Sequence, residues 1–195
     1  MLTLQKHKNH STYSSGCNLT INLHNNHEPN KNNIITTMPS KPHQTALAYL
    51  NGFTTLSTPT FLSLLTPTAT HRIAPSSTGA PPLMNTTQFA NHIDHLRQIL
   101  SGFPVTPKEI FSSDESSNKV TVWATSVANF RDEVKDDGIS DEEWGYRGEY
   151  IFVLSLDESR ERVQDVLEFV DSLGTERLRG LMRRARGNLE RIKKV

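Results

Sequence analysis

The 195-residue chain carries 21 Lys and Arg against 21 Asp and Glu, so its formal charge is zero and no global field singles out nucleic acid. It is long enough to bury one real core, and its one cysteine, Cys17, rules out an internal disulfide and fits a reducing, cytoplasmic setting. No apolar run approaches the roughly 18 residues that a membrane span needs.

Residues 1–37 hold eight Asn, four of the eight His and a single acid, Glu28, with no sustained apolar period. Such a segment buries too little surface to offset its ordering entropy, and it reads as a disordered extension. It lacks the apolar stretch of a secretory signal and has no Arg to make a transit peptide. One reading makes Met38 the natural start. From there the chain has 20 acids and 18 bases, a formal charge of −2.

A first helix is expected at about 43–53, with Leu47, Tyr49, Leu50 and Phe53 apolar. A second runs over about 58–65, with Ser57 as N-cap, Pro59 in its first turn and Pro67 ending it. A short strand at 70–74 leads into a Pro/Gly/Ser loop, 75–82. Asn85 with Gln88 makes a capping box for a third helix, where Phe89, Ile93, Leu96 and Leu100 recur at helical spacing until Gly102. Strands follow at 106–112, 119–130, 145–156 and 163–172, with an acidic loop or lid at 131–143. From Thr175 onward, six Arg and two Lys face Glu176 and Glu190. Leu178, Leu181, Met182, Ala185, Leu189 and Ile192 give this last segment an amphipathic helical stripe, expected to dock on its own domain or on a dimer partner. Helices first and strands after them is an α+β pattern.

The succession APSSTGAPPLMNTTQF, FPV, VTVWATSVANF, EYIFVL and EFVDS, lying in that order between residues 43 and 175, resembles the SnoaL-like branch of the NTF2-like superfamily. Within it, the chain is similar to the fungal meroterpenoid-pathway isomerases, whose succession also ends in a Glu-Phe-Val-Asp-Ser strand. The resemblance implies an NTF2-like cone at 38–173: a curved antiparallel sheet packed against N-terminal helices, with the basic helix of 174–195 appended. It further implies a cavity in which a small apolar, oxygenated metabolite, polyketide- or terpenoid-like, is isomerised, cyclised or dehydrated without a cofactor. A homodimer formed through the sheet face turned away from the cavity is the implied assembly.

Three strand carboxylates raise the chemical question, because an anion in a strand is costly unless it faces water, meets a partner or lines a cavity: Glu149, Glu168 and Asp171. Alternation puts Phe169 with Asp171 on one face and Glu168 with Val170 on the other. The family resemblance selects Asp171 as the base and carries over to Glu149, and it places His71 near the cavity mouth. Asp171 as base, with His71 or Glu149 returning the proton or orienting it, is the expected constellation; a carboxylate in an apolar cavity becomes a better base near neutral pH. His92, Trp123, Phe169 and Arg72 are the candidates for substrate contact. The alternatives are that Asp171 caps the following helix and that Glu149 pairs with Arg147 or Arg72 on the surface. His92 and His95, at i and i+3, lack an identifiable third ligand, and no metal is expected. No nucleophile elbow, phosphate-binding glycine loop or dinucleotide fingerprint appears, which argues against hydrolase, nucleotide-dependent and redox chemistry. A non-catalytic ligand-binding module and a protein-interaction module remain the competing functions.

Overall fold

The computed structural model describes residues 39–79, 81–111 and 117–194, so the Asn- and His-rich leader lies outside the described residues. Helix α1 (Lys41–Asn51) begins with Pro42 in its first turn and buries Thr45, Ala46, Tyr49 and Leu50. A short 3-10 turn (Gly52–Thr54) leads to α2 (Thr58–Leu64), where the Ser57 hydroxyl accepts the Thr60 N–H as the sequence predicts. Strand β1 (Leu65–Ala74) starts five residues earlier than the expected 70–74. Its register with its neighbour breaks between Leu65 and Thr70, and Pro67, which has no N–H to give a ladder, falls inside that break.

β2 (Met84–Asn85) leads into α3 (Thr86–Arg97), opened by the predicted Asn85 and Gln88 capping box. Then come β3 (Leu100–Gly102), β4 (Val105–Phe111), β5 (Lys119–Val127), β6 (Asn129–Phe130), β7 (Arg147–Leu156) and β8 (Val163–Val170). Helix α4 (Ser172–Ile192) closes the described chain. The main sheet has the order β2-β1-β8-β7-β5-β4, with β3 and β6 forming a separate two-stranded ribbon. The α+β cone expected from the sequence is present, with one difference. The sheet is mixed, because β1 and β8 pair in parallel while its other strand pairs are antiparallel.

Alternation on β5 and β7 fixes the inner face. Val120, Val122 and Ala124 on β5, and Tyr150, Phe152 and Leu154 on β7, are buried against the helices. Tyr49, Phe53, Phe61, Phe89 and Phe152 form a run of edge-to-face and tilted rings between α1, α2, α3 and the sheet. The segment expected as an acidic loop or lid is pinned under α4. Val134 is fully buried, and buried Asn188 of α4 donates Nδ2–H to the Val134 carbonyl and to Asp136 Oδ1, both at 2.9 Å. Arg184 pairs with Asp136 from the same helix. Helix α4 thus docks on its own domain through Leu178, Leu181 and Ala185. No helix among the described residues is long and apolar enough to cross a membrane.

Candidate active site

Between the inner sheet face, α3 and α4 lies a cavity of about 160 Å³. Phe53, Ile73, Phe89, Leu96, Phe103 and Val170 make most of its wall apolar, and α4 contributes Leu178 and Met182. Polar groups reach it at a few points: His71, His92, Tyr150 and Glu168 from the sheet and the first helices, Thr175, Arg179 and Arg186 from α4, and Thr78 from the loop after β1. A mostly apolar cleft with a few convergent polar groups is the usual form of a small-molecule site.

Its chemical centre is built by strand pairing. In the parallel β1–β8 ladder, His71 lies opposite Val166 and Ile73 opposite Glu168, so the His71 and Glu168 side chains are diagonal neighbours on one face. His71 Nε2 stands 2.9 Å from Glu168 Oε2, and Tyr49 Oη of α1 stands 3.1 Å from His71 Nδ1. Tyr49 is fully buried, His71 is 3% exposed, and the Glu168 side chain retains 14% exposure toward the cavity. The imidazole thus bridges the Glu168 carboxylate on its Nε2 side and the Tyr49 hydroxyl on its Nδ1 side. Phe89 stacks on the imidazole at 4.4 Å between centroids, locking its plane. Burial, and after it the nearby Glu168 charge, push the Tyr49 phenol well above its ordinary range, so it stays protonated. Glu168 Oε1 has no hydrogen-bond partner among the described residues.

Two further groups flank this centre. His92 of α3 titrates below an ordinary histidine, chiefly because it is desolvated and also because His71, Arg186 and His95 repel a proton there; Glu168 opposes the shift. On β7, Tyr150 Oη is 2.7 Å from Tyr146 Oη, and desolvation raises both phenols. That pairing depends on Gly148, where a Cβ would stand 2.0 Å from Tyr146 Oη.

Of the residues the sequence singles out, His71 and His92 line the cavity, and Asp171, Glu149, Trp123, Phe169 and Arg72 do not. Asp171 is the N-cap of α4: its Oδ1 accepts the Leu173 N–H at 3.0 Å and its Oδ2 the Gly174 N–H at 3.1 Å. Glu149 is 54% exposed and pairs with Lys108 at 2.8 Å, which is the surface ion pair of the alternative reading with Lys108 in place of Arg147 or Arg72. Lys108 also lies over the Trp123 ring at 3.9 Å, placing Trp123 on the outer sheet face with Glu149. Phe169 is 49% exposed on that same side of the sheet, and Arg72 borders an outer depression with Val153, Asp165 and Leu167. The four that lie on strands miss the cavity for one reason, strand parity: on β8 the inward row is Val166, Glu168 and Val170, so Phe169 points away; Asp171 misses it because β8 has ended and α4 begins there. The signal that finds Glu168 is the bulky row Tyr150, Phe152 and Leu154 on β7, since Phe152 is its cross-strand partner.

No family model matches the sequence. The austinoid biosynthesis clusters protein H of Penicillium brasilianum is 29% identical over 130 residues, spanning 66% of this chain and 81% of that protein. Among solved structures, an NTF2-like protein of unknown function from Burkholderia pseudomallei superposes with a TM-score of 0.55 at 16% identity, over 72% of this chain and 98% of that one. The chain has the NTF2-like fold. BvnE pinacolase from Penicillium brevicompactum shares it, with a TM-score of 0.60 at 21% identity over 73% of this chain and 91% of that chain. The likeness to SnoaL-like, NTF2-like proteins of fungal meroterpenoid pathways read from the sequence is thus borne out. Within this NTF2-like domain, no three His, Cys, Asp or Glu side chains among the described residues come together to hold a metal ion.

Proposed function

We propose that the protein is a cofactor-independent acid/base isomerase, cyclase or dehydratase acting on a small apolar, oxygenated metabolite, with Glu168 as the proton-transferring base. The observation that carries this reading is the 2.9 Å His71–Glu168 contact at the wall of an apolar cavity. His71 orients one carboxylate oxygen and leaves Oε1 to remove a proton from carbon beside a carbonyl and to return it at another position. Tyr49 holds the imidazole through Nδ1. Neutral His92 and protonated Tyr150 stand at the same cavity as hydrogen-bond donors for the substrate oxygen on which enolate charge develops. The similarity to the austinoid cluster protein and to a pinacolase fold supports an oxygenated terpenoid- or polyketide-like substrate. We further propose a cytoplasmic homodimer joined through the outer sheet face, with residues 1–37 as an extension dispensable to the domain.

Hydrogen–deuterium exchange into substrate tests the reading without knowledge of the natural metabolite. In D2O, the protein should catalyse deuterium uptake at acidic C–H positions in some members of a panel of apolar cyclic 1,3-dicarbonyl compounds, read by mass spectrometry. Binding of panel members with no exchange above buffer in any of them would favour the non-catalytic, ligand-binding reading.

A further inference from the structure

The six arginines of α4 divide sharply. Arg177 donates to the Gly145 carbonyl, Arg183 meets Glu176 at 3.7 Å, Arg184 pairs with Asp136, and Arg191 is held by Asn188 and Asp136. Arg179 and Arg186 have no ion pair or hydrogen bond among the described residues, and they are the two that line the cavity. Seven residues apart, they lie two turns from one another on the same helix, about 10 Å along its axis. Glu168 is the one carboxylate among the lining residues, and His71 already engages it. The mouth therefore carries two uncompensated guanidinium groups above an apolar chamber. Gly79, in the neighbouring loop, lies beside Arg179. It has φ +61°, and a Cβ there would come within 3.2 Å of Arg179 Nη1, so the turn lets the guanidinium lie against it.

We infer that the cavity takes an apolar molecule bearing a carboxylate, which Arg179 and Arg186 hold at the mouth while the apolar body reaches toward Glu168. This rests on the reading of the cavity as a small-molecule site. A planar guanidinium offers a carboxylate two parallel N–H donors, so free arginines at the rim of a greasy pocket select for an acid terminus over a neutral one of similar shape. The anionic end stays at the half-exposed mouth, and its charge is kept away from the Glu168 carboxylate.

The test is titration calorimetry on the full chain with two probes of one aromatic frame, 2-naphthoate and 2-naphthylmethanol. The wild-type protein should bind the naphthoate about tenfold or more tightly than the alcohol, with the preference shrinking as salt rises. The Arg179→Gln/Arg186→Gln double variant should lose that preference and keep its affinity for the alcohol within about twofold, which also shows that the cavity is still folded. Arg183→Gln removes one charge from the same helix away from the cavity and should change neither affinity. Equal wild-type binding of both probes, or an equal loss in Arg183→Gln, would overturn the assignment of the two arginines and leave the proposed chemistry standing. Binding of neither probe would overturn both, since the cavity would then not be a small-molecule site.

Discussion

Glu168 and Asp171 stand three residues apart and do different work, because one faces into the cone and the other begins a helix. For Asp171 the expectation is a capping phenotype. Asp171→Asn should leave exchange activity and thermal midpoint almost unchanged, whereas Asp171→Ala should cost about 0.5–2 kcal/mol in urea unfolding. His92 gives a signed pH prediction. Its folded pKa lies below the unfolded value near ~6.5, so as pH falls through 6.5 the unfolded chain takes up a proton that the folded site resists. Its contribution to stability therefore declines on acidification from about pH 6.5 down to the folded pKa, and it is flat above that window. Urea titrations at pH 5 and 7.5 should show a smaller difference for His92→Gln than for the wild type; an equal difference would place the imidazole in water. At this scale the sequence made His71 and His92 legible as cavity groups, but not which strand carboxylate faces them. Both faces of β8 carry apolar side chains, Val166 and Val170 on one and Leu167 and Phe169 on the other, so hydropathy alone does not choose between Glu168 and Asp171.

At the scale of elements, caps and periodicity were legible and close approaches were not. Ser57 and the Asn85–Gln88 box mark two helix starts from local chemistry alone. The parallel β1–β8 pairing is a long-range choice with no local signal, and it is what brings His71 beside Glu168. Gly148 tests how tightly β7 is built: Gly148→Ala must displace the Tyr146 hydroxyl that pairs with Tyr150, and an overpacking cost of about 1–3 kcal/mol is expected in chemical denaturation. A stability equal to wild type would show that Tyr146 moves freely there. The basic helix α4 reads from sequence as a docked amphipathic segment. That it also roofs the cavity follows only from the fold, because Arg179 and Met182 border its buried stripe and become wall residues when the sheet curves beneath them.

At the scale of the whole molecule, the proposed dimer would use the outer face of the sheet. Trp123, Ile151 and Leu167 lie on it half-buried, and Phe169 and Phe111 stand 49% and 46% exposed. An apolar row of that kind suits a self-complementary contact between two copies. Sedimentation equilibrium at micromolar concentration should give about twice the chain mass, and Phe169→Lys should return the protein to a monomer with the cavity unaltered. A wild-type monomer at that concentration would remove the dimer from the account. The NTF2-like architecture was legible because the order of helices, strands and turn residues survives where individual motifs are weak. Substrate identity was not, since the wall is built from side chains scattered over β1, β7, β8, α3 and α4.

Whether the buried pair of His71 and Glu168 moves the proton is measured most directly by the deuterium-exchange rate of Glu168→Gln beside that of Asp171→Asn. Gln at 168 keeps the size of the side chain and a carbonyl oxygen to accept from His71, yet cannot take a proton. A loss of about 10²-fold or more is expected in Glu168→Gln, at a retained thermal midpoint, with a near-wild-type rate in Asp171→Asn. An unchanged rate in Glu168→Gln, or a loss of that size in Asp171→Asn instead, would contradict Glu168 as the base.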